Sequence, residues 1–579
     1  MALTFRWSAF IASAASTLLC GWLFMVLARA DGWTPFDSLR LVLSSLCVFW
    51  LSWGTVGGIF GLFARISRPE AADAGDPERR VAILMPIYNE DPPSTFARVA
   101  AMSARLTALG AHADFDIFVL SDSQSLDSAA REALWFERLL TDCVAREQVF
   151  YRRRPQNSGR KAGNIEDFIR RSGAAYAYAL VLDADSLMEA EAILEMVRRM
   201  DAAPDLGLLQ TLPAIVHAHS IFGRALQFSA QLYTPIFARG TALMQGREGP
   251  YWGHNAMFRV NAFAQSCGLP PLTGKPPFGG QILSHDYVEA ALLARAGYEV
   301  RLDPDIEGSF EEGPDNILDF AKRDQRWCQG NLQHSRVVLA PALHTWNRVT
   351  LLQGILNYLM PPIWLVLLVV SIASADMVKH GRSQPAPDWA GWTLICFVAG
   401  LLILPKLLIA CLHMLGGQPG SPLRGALVLG SVIAEIALST VVAPIVLMFQ
   451  VRAVLRVLLG FDGGWPPSNR TDGVLSIGQA WAGSWWIACF GAGGLAMVMA
   501  AAPALTIWSL PVALPMIFAP LVIAATSRPV AALRGLWRVP SEAAPSPVLQ
   551  EWRAIHDGWT GPAHQLEQDF AGGTADVLG

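Results

Sequence analysis

Long apolar runs enclose a more polar central region, and this pattern divides the chain into three parts. Residues 10–28 and 41–63 are each apolar over about the 20 residues that a helix needs to cross a bilayer. Further runs of this kind follow the central region, at residues 351–373, 389–415, 481–502 and 505–525. The pattern therefore predicts a membrane helical bundle joined to an internal soluble domain.

Residues 426–459 form another apolar run, and its pattern is ambiguous. Glu435 and Pro444 interrupt its core, and Arg452 and Arg456 follow at helical spacing. The run fits either a re-entrant pair of helices or one helix that lies in the membrane interface. With both alternatives open, we expect six to eight spans in total.

Basic residues beside the apolar runs predict the orientation of the chain. Arginines at positions 65, 68, 79 and 80 follow the second run, and the positive-inside rule then places the central region in the cytoplasm. Arginines at 528, 534 and 538 place the C-terminal segment there too. We therefore predict two N-terminal spans (1–66), a cytosolic domain with amphipathic interface helices (67–347), a membrane region (348–526) and a cytosolic tail (527–579). From Pro540 the tail is rich in proline, alanine and glycine, so we expect that part to be mobile.

The central domain alternates short apolar segments with amphipathic stretches. Residues 81–85, 116–120, 179–182 and 207–211 are candidate strands, and 93–110, 127–143, 163–172 and 190–200 are candidate helices. Such alternation predicts a doubly wound, mostly parallel α/β sheet whose ligand lies beyond the carboxyl ends of the strands. Residues 215–245 and 317–338 are amphipathic and rich in aromatic residues, which fits helices along a membrane face or ordinary packing helices.

Composition narrows the class of protein. Of the 579 residues, 53% are hydrophobic and only 16% are charged, which excludes disorder and an ordinary soluble enzyme. The net charge of −4 argues against binding to nucleic acid, because neutralising phosphates needs a basic surface. The eight cysteines are scattered, and several lie in apolar runs, so we expect neither disulfides nor a zinc site.

Acidic residues of the central domain fall where predicted strands end. Asp122 follows the second strand, Asp183 and Asp185 follow the third, and Asp286 opens a predicted helix. Carboxylates at one edge of a sheet suit a hydrated divalent cation and a diphosphate, because Mg²⁺ prefers carboxylate and phosphate oxygens. Each aspartate taken singly also fits a helix cap or a turn.

Four further segments could complete such a site. Lys161 precedes a helix, where it could contact phosphate. Arg326 could contact diphosphate, and the ring of Trp327 could stack on a sugar, although Trp327 also fits a headgroup anchor. A sharp turn after the first strand and a polar, aromatic loop supply the remaining candidates, which are Pro86, Tyr88, Glu90, Trp252, His254 and Asn255.

Taken in order and framed by membrane spans, these motifs resemble those of the processive, membrane-integrated glycosyltransferases of family 2. The series comprises Pro86-x-Tyr88-Asn89-Glu90, Asp122, Asp183-x-Asp185, Ser284-His285-Asp286 and Arg326-Trp327. More narrowly, residues 10–525 resemble the glucans biosynthesis glucosyltransferase H family (OpgH, also MdoH), which makes the backbone of osmoregulated periplasmic glucans. Arg323 stands where the broader class has the Gln of Q-x-x-R-W, and Ser284-His285-Asp286 stands where it has T-E-D. The runs that carry the narrower likeness are Tyr251-Trp252-Gly253-His254-Asn255, Ser284-His285-Asp286 and Arg326-Trp327-Cys328-Gln329-Gly330-Asn331.

This resemblance implies a processive, inverting glucosyltransferase, multi-pass in the bacterial inner membrane, with a cytosolic catalytic domain. It implies UDP-glucose as donor, Mg²⁺ or Mn²⁺ as cofactor, and a growing β-1,2-glucan as acceptor, with synthesis coupled to translocation. Acyl carrier protein and periplasmic glucan-processing proteins are further implied partners, beside the lipid bilayer. The implied roles are Asp286 as catalytic base, Asp185 and Asp183 as metal ligands, Pro86, Tyr88, Glu90, Asp122, Lys161, Asp183 and Arg326 as UDP contacts, and Trp327, Trp252, His254 and Asn255 as acceptor contacts.

One loop of the membrane region has two interpretations. Residues 461–472 begin with Phe461, Asp462, Gly463, Gly464 and Trp465, and the glycine pair permits movement. By analogy with related synthases the segment is a gating loop that closes over bound UDP. It fits a plain connecting loop equally well.

Other functions also stay open from the residues alone. A synthase of another β-glucan or exopolysaccharide, similar to cellulose or hyaluronan synthase, would share this catalytic set. An enzyme that loads sugar onto a lipid phosphate carrier would share it too, although the long membrane region favours polymer export. A nucleotide-sensing membrane transporter would need Asp122 and Asp183 but neither Asp286 nor the Arg-Trp pair, so turnover of UDP-glucose separates it from the enzymes.

Overall fold

The structure is a computed structural model that describes residues 2–63, 80–378, 387–416, 422–462, 473–529 and 535–561. Four of the arginines used to predict orientation, at positions 65, 68, 79 and 534, lie outside these ranges. So do Gly463, Gly464 and Trp465 of the candidate gating loop.

A seven-stranded sheet forms the centre of the α/β domain, in the order β3-β2-β1-β4-β8-β6-β9. Every neighbouring pair is parallel except those of β8, which runs antiparallel to β4 and β6. The short strands β5, β10 and β7 form a second sheet. In chain order the strands are β1 (Val81–Ile87), β2 (Phe115–Ser121), β3 (Val149–Arg153), β4 (Tyr178–Val181), β5 (Leu187–Met188), β6 (Leu206–Thr211), β7 (Ala214–Val216), β8 (Ala256–Arg259), β9 (Glu299–Asp303) and β10 (Ser309–Glu312).

Helices cover both faces of the large sheet, as the doubly wound prediction requires. Alternate residues of β1 point to opposite sides, so Ile83 belongs to one buried apolar cluster and Leu84 to the other. The helices of this domain are α3 (Pro92–Ala108), α4 (Leu126–Asp142), α5 (Arg160–Ser172), α6 (Ala190–Ala202), α7 (Ile221–Leu232), α8 (Thr234–Gln245), α9 (Val260–Ser266), α10 (His285–Arg295) and α11 (Ile317–Gln333). The mostly parallel α/β fold is confirmed.

Two predicted amphipathic stretches are shorter or more divided than expected. Residues 215–245 contain the end of β7 and then two helices, α7 and α8, which meet at Tyr233 just before Pro235. The ring of a proline cannot continue the hydrogen bonds of a preceding helix, which explains the division. The second stretch ends as an α-helix at Gln333.

The remaining helices include those apolar enough to cross a membrane. In chain order they are α1 (Ala2–Asp31), α2 (Pro35–Phe63), α12 (Thr345–Val378), α13 (Asp388–Gly416), α14 (Pro422–Leu458), α15 (Ile477–Ala501), α16 (Thr506–Ile517), α17 (Ala519–Thr526), α18 (Pro540–Ala543) and α19 (Pro547–Thr560). The first six of these are long and apolar enough to span a bilayer singly, and a bent pair that includes α16 and α17 could form a seventh span. The run at 505–525 is bent by 61° between α16 and α17, so the predicted span there would be a broken helix.

Helix α14 resolves the ambiguous run of the sequence. It is one helix of 37 residues that continues through Pro444, so the re-entrant alternative is wrong. In its first half, Glu435 accepts a hydrogen bond of 3.2 Å from the hydroxyl of Tyr233, which lies between α7 and α8. Near its end, Val454 shares a buried cluster with Cys328 of α11. Helix α14 therefore contacts the α/β domain at two places, and it is also long and apolar enough to span a bilayer, so the interfacial alternative stays a prediction.

The C-terminal segment is folded, contrary to the prediction of a mobile tail. Helix α19 packs against α3, and its residues Val548, Leu549, Trp552 and Trp559 are buried in the cluster under the large sheet. The Val548 amide donates to Glu189 Oε1 at 2.9 Å. The aromatic side chains offset the proline and alanine content on which the prediction of mobility rested. Residues 562–579 lie outside the described part of the chain.

Candidate active site

A cavity of about 1250 Å³ opens beyond the carboxyl ends of β1, β2 and β4. It contains every residue predicted to touch donor, metal or acceptor except Asn255. Those residues come from the strand ends, from α5, α10 and α11, and from the loop before β8. They are Pro86, Tyr88, Glu90, Asp122, Lys161, Asp183, Asp185, Trp252, His254, Asp286, Arg326 and Trp327.

Asp122 directly follows β2 and is held by a buried arginine. Its carboxylate accepts two hydrogen bonds from Arg154, from Nε to Oδ1 at 2.7 Å and from Nη2 to Oδ2 at 2.9 Å. Burial raises the pKa of Asp122, and Arg154 offsets part of that shift. The sequence-based prediction missed Arg154 because it missed β3, the strand that delivers Arg154 to the same edge of the sheet.

The two serines that flank Asp122 bind a second buried carboxylate. The hydroxyls of Ser121 and Ser123 both donate to Glu132 at 2.5 Å, and the Tyr151 hydroxyl donates to it at 2.8 Å. Glu132 is only 1% exposed, so these three donors replace the water that burial removes. They fix the backbone on both sides of Asp122.

Lys161 links the end of β4 to the loop before β8. Its ammonium donates to the Asp183 carboxylate and, at 2.7 Å, to the carbonyl oxygen of Gly253. Burial raises the pKa of Asp183, but the charges of Lys161, His254 and Arg323 outweigh burial and hold it below the ordinary value. Asp183 is therefore ionised at neutral pH.

Asp183 and Asp185 are the predicted ligands of the implied cation. Both line the cavity just after β4. Across the residues that the structure describes, no three His, Cys, Asp or Glu side chains converge into an all-protein metal site. Two carboxylates facing a cavity fit Mg²⁺ or Mn²⁺, because such ions are held by one or two carboxylates together with substrate phosphates and water.

Asp286 lies in the first turn of α10, beside the backbone of Gly253. Burial raises its pKa, the neighbouring His285 lowers it, and Glu289 raises it again. The result is a carboxylate that holds a proton more firmly than an exposed aspartate does. This basicity suits a group that removes a proton from a substrate.

The segment that carries Asp286 is seated on α11. A Cβ atom at Gly330 would lie only 2.7 Å from the backbone nitrogen of Ser284, so this contact requires glycine. His334 Nε2 donates to the Ser284 carbonyl oxygen at 2.9 Å. Burial lowers the pKa of His334 to about 4, which leaves the ring neutral at pH 7. The helix that carries Trp327 therefore also positions Asp286.

Arg326 and Trp327 project from α11 into the cavity. Trp327 is 44% exposed, and the Arg323 guanidinium lies 4.8 Å from its ring centroid. Arg323, which replaces the expected Gln of the broader class, thus places a cation on the same tryptophan. Burial and the charge of Arg323 lower the pKa of Arg326, while Glu90 and Asp183 raise it. Arg326 is therefore within electrostatic reach of both acids.

The loop before β8 presents Trp252 and His254 to the cavity. The Trp252 amide donates to Gln210 Oε1 at 2.9 Å, which fixes the loop on β6. His254 Nε2 lies 3.4 Å from Glu311 Oε2. Burial raises the pKa of Glu311, and the charges of His254 and Arg323 oppose the shift.

Asn255 differs from the expectation that it contacts the acceptor. Its side chain is fully buried, and Nδ2 donates to Ser309 Oγ at 2.8 Å and to the Phe310 carbonyl oxygen at 3.2 Å. Its φ angle is 49°, a conformation that asparagine adopts more readily than most residues. Asn255 therefore ties the loop to β10 from behind the cavity wall.

The candidate gating loop is described only at its start. Phe461 is exposed, and Asp462 accepts a hydrogen bond of 2.9 Å from Gln329 Nε2. The loop thus begins beside α11. Its closure over a bound nucleotide stays a prediction.

Two family models match the chain. Glycosyl transferase family 2 matches residues 82–266, and Glycosyl transferase family group 2 matches residues 178–407. The chain is 51% identical over 549 residues to "Glucans biosynthesis glucosyltransferase H" of Cereibacter sphaeroides, covering 93% of this chain and 92% of that protein. The chain belongs to the glucans biosynthesis glucosyltransferase H family.

Other members of the glucans biosynthesis glucosyltransferase H family are also similar. The protein of that name from Xylella fastidiosa is 38% identical, covering 92% of this chain and 88% of that protein. The one from Vibrio cholerae is 41% identical, covering 77% of this chain and 64% of that protein. Among solved structures, a mannosyltransferase from Pyrobaculum calidifontis in complex with GDP-Man and Mn²⁺ gives a TM-score of 0.44 at 14% identity, covering 73% of this chain and 99% of that chain.

Membership of the glucans biosynthesis glucosyltransferase H family makes this protein a glycosyltransferase for glucan synthesis, and its apolar helices fit a membrane protein. The sequence-based prediction missed one wall of its cavity. Trp552 and Arg553 of α19 line that wall. The signal was present, because Trp552 and Trp559 are spaced to lie on one face of a helix.

Proposed function

We propose that this protein is a processive, inverting glucosyltransferase of the bacterial inner membrane. It uses UDP-glucose to build the β-1,2-linked backbone of osmoregulated periplasmic glucans and passes the chain to the periplasm. One observation carries the proposal. A single cavity is lined by Asp286, whose pKa is raised, by two aspartates at the end of β4, and by cationic side chains that include Lys161 and Arg326. Membership of a family named for glucan synthesis supports it.

The nucleotide half of the donor occupies the strand ends. Asp122 contacts the uridine, while the turn with Tyr88 and Glu90 lies beneath it. Lys161 and Arg326 contact the diphosphate, where fixed positive charges stabilise the charge that develops on the leaving group. The Arg154 pair keeps the Asp122 carboxylate in one orientation before the donor binds.

Asp183 and Asp185 would hold Mg²⁺ or Mn²⁺ together with diphosphate oxygens. When bound, such an ion neutralises charge on the departing UDP. The positive charge of Lys161 offsets the negative charge of Asp183. This pairing reduces the electrostatic repulsion between the two aspartates and the diphosphate.

Asp286 is the general base. It takes the proton from the attacking hydroxyl of the acceptor sugar as that oxygen bonds to the anomeric carbon of glucose. The bond from that carbon to the diphosphate oxygen breaks, and its electron pair leaves with UDP. One displacement on an α-linked donor gives a β-linked product, so one base is sufficient.

The acceptor end is held by aromatic side chains beside the membrane. Trp327 is half exposed on α11, and Trp252 and His254 face the same cavity. Helix α11 is fastened to α12 by a hydrogen bond of 3.0 Å from the Tyr358 hydroxyl to Asp324 Oδ1. The acceptor site thus adjoins the membrane helices, which supports transfer of the product into them.

Replacing Asp286 tests the mechanism. In purified protein in lipid vesicles with labelled UDP-glucose and Mg²⁺, Asp286→Asn should lower the polymerisation rate by about 100- to 10,000-fold, the contribution typical of a general base. UDP binding, measured by calorimetry, should stay unchanged. The exposed Asp127 on α4 offers a matched control, and Asp127→Asn should polymerise at the wild-type rate. A normal rate in Asp286→Asn would show that another group is the base.

Linkage analysis of the product tests the substrate assignment. Methylation analysis should give 2-linked glucose as the main internal residue. A product with mainly 3- or 4-linked glucose would make the protein a synthase of another β-glucan. If the unaltered protein did not turn over UDP-glucose, the assignment of UDP-glucose as the donor would be wrong.

A further inference from the structure

A buried ion pair lies directly beside Asp286. His285 Nδ1 and Glu289 Oε2 are 2.9 Å apart, one turn from each other on α10. His285 is 8% exposed and Glu289 is 3% exposed. Burying two charges is costly even when they are paired, so an ion pair next to reacting groups is a candidate for function.

The hydrogen bond to Glu289 decides which ring nitrogen faces a ligand. His285 lines the cavity, and its Nδ1 is bonded to Glu289, so Nε2 is the nitrogen left for a bound molecule. On a protonated ring Nε2 is a donor. On a neutral ring that keeps its proton at Nδ1, Nε2 would be an acceptor instead.

The charges around His285 favour the protonated ring. Burial lowers the pKa of His285 and Lys161 opposes its charge, but Glu289 and Asp286 outweigh both and raise the pKa overall. The pKa values of the other nearby titratable groups are raised by burial, so these groups are neutral at pH 7. They are Tyr251, Tyr287 and Cys267. His285 is thus the cation that balances Glu289.

Two consecutive residues therefore present opposite hydrogen-bonding groups to one cavity. Asp286 offers an acceptor, and His285 offers a donor through Nε2. Neighbouring hydroxyls of a glucose ring can match such a pair, because one hydroxyl donates its proton while the next accepts a hydrogen bond.

We propose that His285 binds the sugar hydroxyl adjacent to the one that Asp286 deprotonates, and that Glu289 is the positioning residue that keeps His285 protonated with Nε2 toward the sugar. The inference rests on the proposed function, since it requires Asp286 to be the base. It assigns the recognition of a vicinal diol to the His-Asp pair that replaces the Glu-Asp pair of the broader class.

The test is the pH dependence of kcat/KM for a glucan oligosaccharide acceptor, followed by UDP release in vesicles. Glu289→Gln removes the charge and keeps the size of the side chain. Because Glu289 raises the pKa of His285, its loss makes the ring give up its proton at lower pH. The alkaline limb of the profile should therefore move to lower pH by about one unit, the shift that a close opposite charge produces. KM for UDP-glucose should not change.

Two further variants serve as a control and as an independent test. Glu166→Gln removes an exposed carboxylate from α5 and should leave the profile unmoved. His285→Gln retains a neutral donor at every pH, so it should lower kcat/KM by about tenfold, an effect of the size of one hydrogen bond, and abolish the alkaline limb. If Glu289→Gln does not fold, His285→Gln alone tests whether His285 binds the sugar hydroxyl. An unmoved limb in Glu289→Gln, or a wild-type profile in His285→Gln, would overturn the inference. Failure of the proposed function would look different, because the unaltered protein would then not turn over UDP-glucose.

Discussion

Two glycines determine how closely α11 approaches its neighbours. Gly330 touches the backbone of Ser284, and Gly354 of α12 leaves room for the side chain of Asn331. Helix α11 is therefore packed tightly between the segment that carries Asp286 and α12, the first long apolar helix after the α/β domain. A side chain at either glycine would separate parts of the active site without touching a reacting atom.

Gly330→Ala should impair catalysis more than folding. Its Cβ would push Ser284 and Asp286 away from α11, and a displacement of about 1 Å can lower a rate by about 100-fold. Alanine itself favours helix by about 1 kcal/mol, which offsets part of the strain. We expect kcat to fall at least tenfold, measured by UDP release, with a small change in the thermal unfolding midpoint.

The matched control is Gly494→Ala on α15. A Cβ at Gly494 meets nothing within 4 Å, so this variant should keep the wild-type kcat. Equal kcat values for the two variants would mean that the contact between Gly330 and Ser284 does not position Asp286 for catalysis.

The sequence predicts the acids of the site better than their partners. Asp122 and Asp183 could be found because each follows an apolar strand. Their partners, Arg154 and Lys161, are not equally easy to find from the sequence. Lys161 lies in the first turn of α5, beside the start of a helix that the sequence predicts, whereas Arg154 becomes a partner only through β3 and the pairing of β3 with β2. Long-range pairing of this kind leaves no local pattern in one sequence.

At the scale of elements, α19 is part of the catalytic domain. The ring centroid of Trp552 lies 4.5 Å from that of His217 and 5.3 Å from that of His556, with the three rings stacked. Trp559 packs 5.7 Å from Trp135 of α4. The helix therefore closes one face of the domain as well as one wall of the cavity.

Trp559→Ala tests whether α19 stabilises the domain. Removing a buried tryptophan side chain should lower the free energy of unfolding by about 3–5 kcal/mol. Trp559→Phe keeps most of the buried area and should cost less, although it loses the hydrogen bond of 2.7 Å from Nε1 to Asp142 Oδ2. Denaturant unfolding in detergent measures both. Wild-type stability in Trp559→Ala would restore the prediction of a mobile tail.

The long amphipathic and apolar elements show where a sequence pattern stops being decisive. The run at 426–459 is apolar enough to span a bilayer, yet it also contacts Tyr233 and α11 of the α/β domain. Hydropathy reports what a helix can be buried in. It does not report its direction, which depends on the partners at its ends.

At the scale of the molecule, an ion pair between two apolar helices also contacts the α/β domain. Lys406 of α13 lies 2.9 and 2.8 Å from the two carboxylate oxygens of Glu435 on α14. The same carboxylate accepts the hydrogen bond from Tyr233, whose ring lies 5.2 Å from the Lys406 ammonium. Three elements therefore meet at one charged group.

Breaking the ion pair between Lys406 and Glu435 should lower the stability of the whole protein. Glu435→Gln leaves the Lys406 charge without a counterion, at a cost of about 3–5 kcal/mol, whereas replacing both partners by apolar residues is about neutral. We expect a lower thermal unfolding midpoint in detergent for Glu435→Gln and recovery in Lys406→Met/Glu435→Leu. If the double variant were as unstable as Glu435→Gln, the lost stability would come from specific hydrogen bonds and not from the unpaired charge of Lys406.

The position of α19 also governs when the enzyme can be completed during its own synthesis. A ribosome makes the chain from its N-terminus, so the strands of the large sheet emerge long before residues 547–560. Between the two lie the membrane helices α12 to α17, which must be inserted first. Until then, the apolar face and the cavity wall that α19 supplies are missing. A nascent chain therefore completes the cavity only after its apolar helices have been made, which keeps sugar transfer from preceding assembly of that region.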